Sequence, residues 1–86
     1  MQILPIAASA LNAASSGAAV RANNIANVQT PDFKAANPVS GSIPNGGGVA
    51  VMVQSTDQPV DLAREIIGLR IALHEYKAAA KLIETG

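Results

Sequence analysis

The side chains able to do chemistry in this chain are few and scattered. His74 is the only histidine and there is no cysteine, so neither a Cys–His nucleophile pair nor a thiolate metal site can be built. On a helix His74 would neighbour Ile71 and Ala78 rather than a carboxylate. It then lacks the orienting partner of a general base and reads as a surface or interface residue. Asp61 and Glu65 stand one helical turn apart, a spacing that two metal ligands could use. With no further ligand beside them, a capping group and a solvated face are the better reading. Gly46-Gly47-Gly48 lacks the Lys-Ser/Thr pair and the following helix of a phosphate loop, so it reads as a linker. Tyr76 falls on an apolar seam and reads as core. These residues give no catalytic, cofactor or metal site, and the chain reads as a protein that is not an enzyme.

The element carrying most of these residues is a helix expected over 59–85. Leu62, Ile66, Leu69, Leu73, Tyr76, Ala80 and Ile83 recur at alternating spacings of four and three, the a/d seam of a helix packed on another helix. Pro59 suits a first turn, Asp57 or Gln58 can supply the cap, and Asp61 sits near the positive end of the dipole. At about 1.5 Å per residue such a helix is roughly 40 Å long. Ile67, Ile71, Ala78 and Leu82 form a second apolar stripe nearly opposite the first. Asp61, Glu65 and Glu75 line one flank between the stripes, and Arg70, Lys77 and Lys81 line the other. A helix apolar on two faces is normally covered on both. The second stripe and its charged flanks are therefore expected to form an assembly face.

The partner for the first stripe is expected in a helix over 5–28. Leu4, Ala7, Leu11, Ala14, Ala18, Ile25 and Val28 follow the same four-three spacing, interrupted by Arg21, while Ser9, Asn12, Ser16, Asn23 and Asn27 give a polar line. Small seam residues here allow close approach to the larger Leu, Ile and Tyr side chains opposite. Residues 29–58, rich in Gly, Pro, Ser and Asn, read as a linker with a candidate strand at 49–53, where Val49-Ala50-Val51-Met52-Val53 has a β-branched bias. The expected fold is all-α: one small domain over 1–86 in which long N- and C-terminal helices pair as an antiparallel coiled coil, joined by a Gly/Pro-rich loop.

The totals agree with a binding or structural role. A chain of 86 residues without disulfides buries little surface alone, and association is a common remedy. Six basic and six acidic residues cancel, which removes any general attraction to nucleic acid. No apolar run approaches the roughly 20 residues of a membrane span. The start, Met1-Gln2-Ile3-Leu4-Pro5, has neither the basic region nor the cleavage site of a Sec signal.

Ala22-Asn23-Asn24-Ile25-Ala26-Asn27-Val28-Gln29-Thr30-Pro31-Asp32-Phe33-Lys34 resembles the ANNIANVNTPGYK signature of bacterial flagellar rod and hook proteins. The last helix, from Val60-Asp61-Leu62-Ala63-Arg64-Glu65 through Leu69, Ala72, Tyr76, Ala78, Ala80-Lys81 and Ile83, is similar to their C-terminal signature. The two matches stand at opposite ends of the chain, as in that family. The resemblance implies a structural component of the flagellar basal-body rod whose terminal helices pair in the core of a tubular assembly. Its implied partners are copies of itself or other rod and hook proteins, together with the flagellar type III export apparatus. The implied location is the periplasm-spanning rod of the basal body, reached without a Sec signal. Asp32 stands where the family has glycine, and Gly68 and Ala79 stand where it commonly has asparagine. The short span between the signatures fits a minimal proximal-rod-like subunit or a reduced paralogue that stays out of the rod. The competing class is a small helical regulatory or chaperone-like module that grips a flagellar axial protein.

Overall fold

A computed structural model describes residues 3–85; Met1, Gln2 and Gly86 lie outside the described residues, as does the side chain of Ile3. Four elements follow in order: α1 (Ile3–Ala26), β1 (Ala36–Ile43), β2 (Gly48–Ser55) and α2 (Leu62–Thr85), with a short 3-10 turn at Pro44–Gly46 between the strands. The helices run antiparallel and pack on each other. Asn24 of α1 meets Glu65 of α2, and three residues back Arg21 lies against Gly68.

The strands correct the all-α expectation. The stretch between the helices is not a loop but an antiparallel hairpin, paired from Ala36 with Ser55 to Ile43 with Gly48. Val49 to Val53 does form strand, and its partner is the Gly- and Ser-rich segment whose composition reads as linker. Pro38 is tolerated because a two-stranded ribbon has only edge strands. The reversal is made by Pro44-Asn45-Gly46-Gly47, with Asn45 at φ 63° and Gly46 at φ 73°. Asn-Gly adopts that left-handed pair at little cost, and the dipeptide between two strand-like runs is the short-range hairpin signal that identifies this turn.

The hairpin is fastened to α1 by two side chains that imitate a neighbouring strand. Ser9 Oγ donates to the Val49 carbonyl at 2.7 Å and accepts from the Val49 N–H at 2.6 Å. Asn24 Nδ2 donates to the Ala36 carbonyl at 2.7 Å, and its Oδ1 accepts from the Ala36 N–H at 3.0 Å. One clamp therefore holds the start of β1 and the other the start of β2. Gly48 is required beside Ser9, since a Cβ there would fall within van der Waals contact of Ser9 and the backbone is at φ 102°.

α2 begins later than expected. The Gln58 carbonyl accepts from the Ala35 N–H at 2.8 Å, and Thr56 Oγ1 accepts from the Gln58 N–H while donating to the Ala35 carbonyl. Those bonds hold residues 56–58 against the start of the hairpin and take them out of helix. The cap is consequently Asp61, whose Oδ1 accepts from the Arg64 N–H at 3.3 Å, not Asp57 or Gln58.

The core is unusual in what it lacks. The buried apolar side chains among the described residues are Ala7, Ala14, Ala35, Ala72 and Ala79, with no Leu, Ile or Val among them. The molecule extends 48 × 24 × 13 Å with a radius of gyration of 14.3 Å, against about 12 Å for a compact domain of this length. It exposes 5937 Å², where a compact monomer of this length would expose about 4,700 Å².

Candidate functional site

The candidate site is the interface between α1 and α2, together with the faces that this interface leaves open. Its centre is polar. Asn24 is fully buried and Glu65 is 2 % exposed. Beyond its two bonds to Ala36, Asn24 Nδ2 donates to Glu65 Oε1 at 3.0 Å. Arg21 Nη1 donates to the same oxygen at 3.0 Å, forming an ion pair. The Arg21 side chain reaches Glu65 by lying across Gly68, where a Cβ would stand 2.5 Å from Nε. Gly68, a departure from the asparagine common in the resembled family, is therefore the gap through which the guanidinium passes. Every buried side-chain nitrogen and oxygen among the described residues has a partner, as a buried polar cluster requires.

The rest of the asparagine motif builds a turn rather than an interface. Asn27 Nδ2 donates to the Asn23 carbonyl at 2.9 Å, closing the end of α1. Thr30 Oγ1 donates to Asn27 Oδ1 at 3.1 Å. The Phe33 N–H donates to the Thr30 carbonyl at 3.2 Å, a reversal with Pro31 at its first corner and Asp32 at φ 62°. A positive φ at that second corner suits glycine, so the chain keeps the turn that a glycine there would make and carries an aspartate in it. Ile25 and Phe33 are half-buried, whereas Ala26, Thr30, Pro31 and Lys34 are exposed.

The line of α2 that faces α1 runs through Glu65, Gly68, Ala72 and Ala79, with Ala7, Ala14 and Gly17 buried on α1. At about 100° per residue this line lies between the two apolar stripes, on the acidic flank. Of the residues expected on the helix-pair seam, Ala7 and Ala14 are buried, and Leu11, Ala18, Ile25, Leu69 and Ala80 are half-buried. Leu4, Val28, Leu62, Ile66, Leu73, Tyr76 and Ile83 each keep more than a third of their surface exposed. Of the second stripe, Ile67 is 60 % exposed and Ile71 56 %, with Ala78 and Leu82 also open. Asp61, Glu75, Arg70, Lys77 and Lys81 are at the surface, whereas Glu65 is turned inward onto Arg21. Sequence reasoning placed Glu65 among the solvated flank and gave Arg21 only as an interruption. The missed signal was the coincidence of an arginine breaking one apolar helix with a carboxylate on the other.

His74 is exposed. Asp61 caps α2 and Glu65 holds Arg21, so the two carboxylates serve separate structural bonds. Among the described residues no cluster of His, Cys, Asp and Glu could hold a metal ion, and no helix is long and apolar enough to cross a membrane. A groove of about 300 Å³ runs along α1 between the hairpin and α2, floored by Ala10, Ala13, Ala14 and Gly17 and walled by Val49, Val51 and Ile71. Its lining is mainly aliphatic, with Arg21, Ser40 and Glu75 contributing polar atoms.

No curated protein matches the chain. The family model for the flagella basal body rod protein matches residues 4–34, a span that covers nearly all of α1, the asparagine motif and the turn around Pro31. Over residues 4–34 the chain is similar to the flagella basal body rod protein family, a similarity carried by α1 and the asparagine motif.

Proposed function

We propose that this chain is a structural subunit of the flagellar basal-body rod that assembles through its two terminal helices. In this reading 1–86 acts as one small unit with no chemistry of its own, and its partners are further copies of itself or other rod and hook subunits. It reaches the rod through the flagellar export apparatus. The observation that carries the reading is the disposition of α2. Ala72 and Ala79 face α1, and most of its large aliphatic side chains stand uncovered on both sides. Leaving such stripes in water forgoes about 25 cal/mol per Å² of apolar surface, and contiguous exposed aliphatics of this extent commonly mark an interaction surface.

The test is the replacement Ile67→Asp with Ile71→Asp. Both side chains are more than half exposed, so the isolated subunit should keep its helices by circular dichroism. Sedimentation should show that its association, alone or with purified rod subunits, is lost. Association equal to that of the parent chain would remove the second stripe from the assembly. A soluble one-to-one complex that never grows would instead identify a binding module.

A further inference from the structure

We infer that Glu65, gripped by Asn24 and Arg21, is the register lock of the helix pair: it selects one alignment of α2 on α1 from several that the apolar contacts permit. The apolar contacts themselves cannot select. Ala7 and Ala14 on α1 are seven residues apart, as are Ala72 and Ala79 on α2, and all four are buried. By the pairing of Asn24 with Glu65, Gly17 lies level with Ala72, and a one-heptad slide sets it level with Ala79, a small residue on an alanine again. The larger aliphatics that could act as unequal knobs stand beside the contact, not in it. A buried polar residue in an otherwise uniform seam is the established device for fixing register.

The hairpin restricts the alignment in one direction only. Its two side-chain clamps, Ser9 with Val49 and Asn24 with Ala36, both tie it to α1. In the observed alignment Asn24 Nδ2 has the Glu65 carboxylate to bond, and Arg21 lies over Gly68 to reach the same oxygen. A one-heptad slide toward the N-terminus of α2 would put Ala72 opposite Asn24 and Glu75 beneath Arg21. The ion pair would be remade, but Asn24 would lose its third bond and Arg21 its passage across a glycine. A slide the other way would bring Gln58 opposite Asn24, and Gln58 is bonded to Ala35. Only one alignment satisfies Asn24, Arg21 and the hairpin together.

The chain has no cysteine, so the alignment can be read by paired cysteines and a short bis-maleimide. Carrying the pairing of Asn24 with Glu65 two heptads along sets Ala10 level with Ala79. Ala10→Cys with Ala79→Cys reports the observed alignment, and Gly17→Cys with Ala79→Cys reports the slide that sets Ala72 opposite Asn24. In the parent background the first pair should cross-link at least about tenfold faster, the preference expected of a charge-assisted hydrogen bond. Glu65→Leu should keep helical circular dichroism while that preference falls to within about threefold, and Glu65→Gln, which still accepts from Asn24 and Arg21, should restore it. Undiminished preference in Glu65→Leu would overturn the inference. So would loss of the helices in that variant, since Glu65 would then be a condition of folding rather than a choice between alignments.

Discussion

Asn23 and Asn24 are chemically identical neighbours on one helix, and their environments predict opposite consequences when each is cut to alanine. Asn24 is fully buried, and Asn24→Ala removes three bonds at once: to the Ala36 carbonyl, from the Ala36 N–H and to Glu65. A net hydrogen bond is worth about 1 kcal/mol, and one to a charged group about 1.5–3 kcal/mol. Ala36 is half-buried, so water recovers part of the loss, and a total of about 3 kcal/mol is expected. For a domain of this size that is a fall of roughly 12–24 °C in melting temperature, out of a total stability on the order of 4–13 kcal/mol. Asn23 is exposed, and its side chain makes one long contact to Asn27 at 3.5 Å, so Asn23→Ala should cost under about 0.5 kcal/mol. Urea titration followed by helical circular dichroism, at a dilution where the subunit is monomeric, measures both. Equal midpoints for the two variants would refute the assignment of Asn24 as the bolt between α1, α2 and the hairpin.

The turn at Asp32 and the strand start at Gly48 should respond in opposite senses. Asp32→Gly relieves an L residue held at φ 62° and should raise the melting temperature by roughly 2–4 °C after the entropic cost of glycine. Gly48→Ala should destabilise by more than about 1 kcal/mol in the same assay, because the added methyl meets Ser9 and the backbone is at φ 102°. Charge reversal of Arg70, Lys77 and Lys81 to Glu should weaken association without loss of helix, each exposed pair contributing under about 1 kcal/mol. Sedimentation reads the association, and undiminished association in the reversed chain would leave the basic edge a solvated surface.

The two helices were legible because their apolar residues recur with helical spacing over many turns, a signal that survives local exceptions. The hairpin was not, because Ala36 to Ile43 has the composition of a loop and becomes a strand only through its partners. Its β-branched mate β2 and the backbone clamp from Asn24 supply what its own residues lack. Asn45-Gly46 carried the one local clue. The facing of α2 was misleading for a related reason. Periodicity shows which residues share a stripe but not which stripe meets the neighbouring helix. A buried pair such as Arg21 with Glu65 rotates the contact by about a quarter-turn at no cost to the pattern. The asparagine motif was visible as a string, while the division of labour within it required knowing that β1 passes beside Asn24.

That rotation also accounts for the shape of the subunit. Had α1 packed on the stripe of Leu62, Ile66, Leu69, Leu73 and Tyr76, several large side chains would be buried, each worth about 1.5–3 kcal/mol. The monomer would then be more stable and its surface more polar. With α1 on the acidic flank, the contact is made of alanine and glycine, the helices can approach closely, and the thin dimension of the molecule falls to 13 Å. The large aliphatics then border a flat plate on two sides. A plate with apolar sides and an opposite basic edge has no single surface that a second copy covers completely. Contacts between unlike faces would, in the proposed reading, repeat instead of closing, as in an extended assembly. In the proposed reading, the aliphatic surface withheld from the subunit's own core is what neighbouring subunits bury. The Asn24–Glu65–Arg21 cluster keeps that surface turned outward until they arrive.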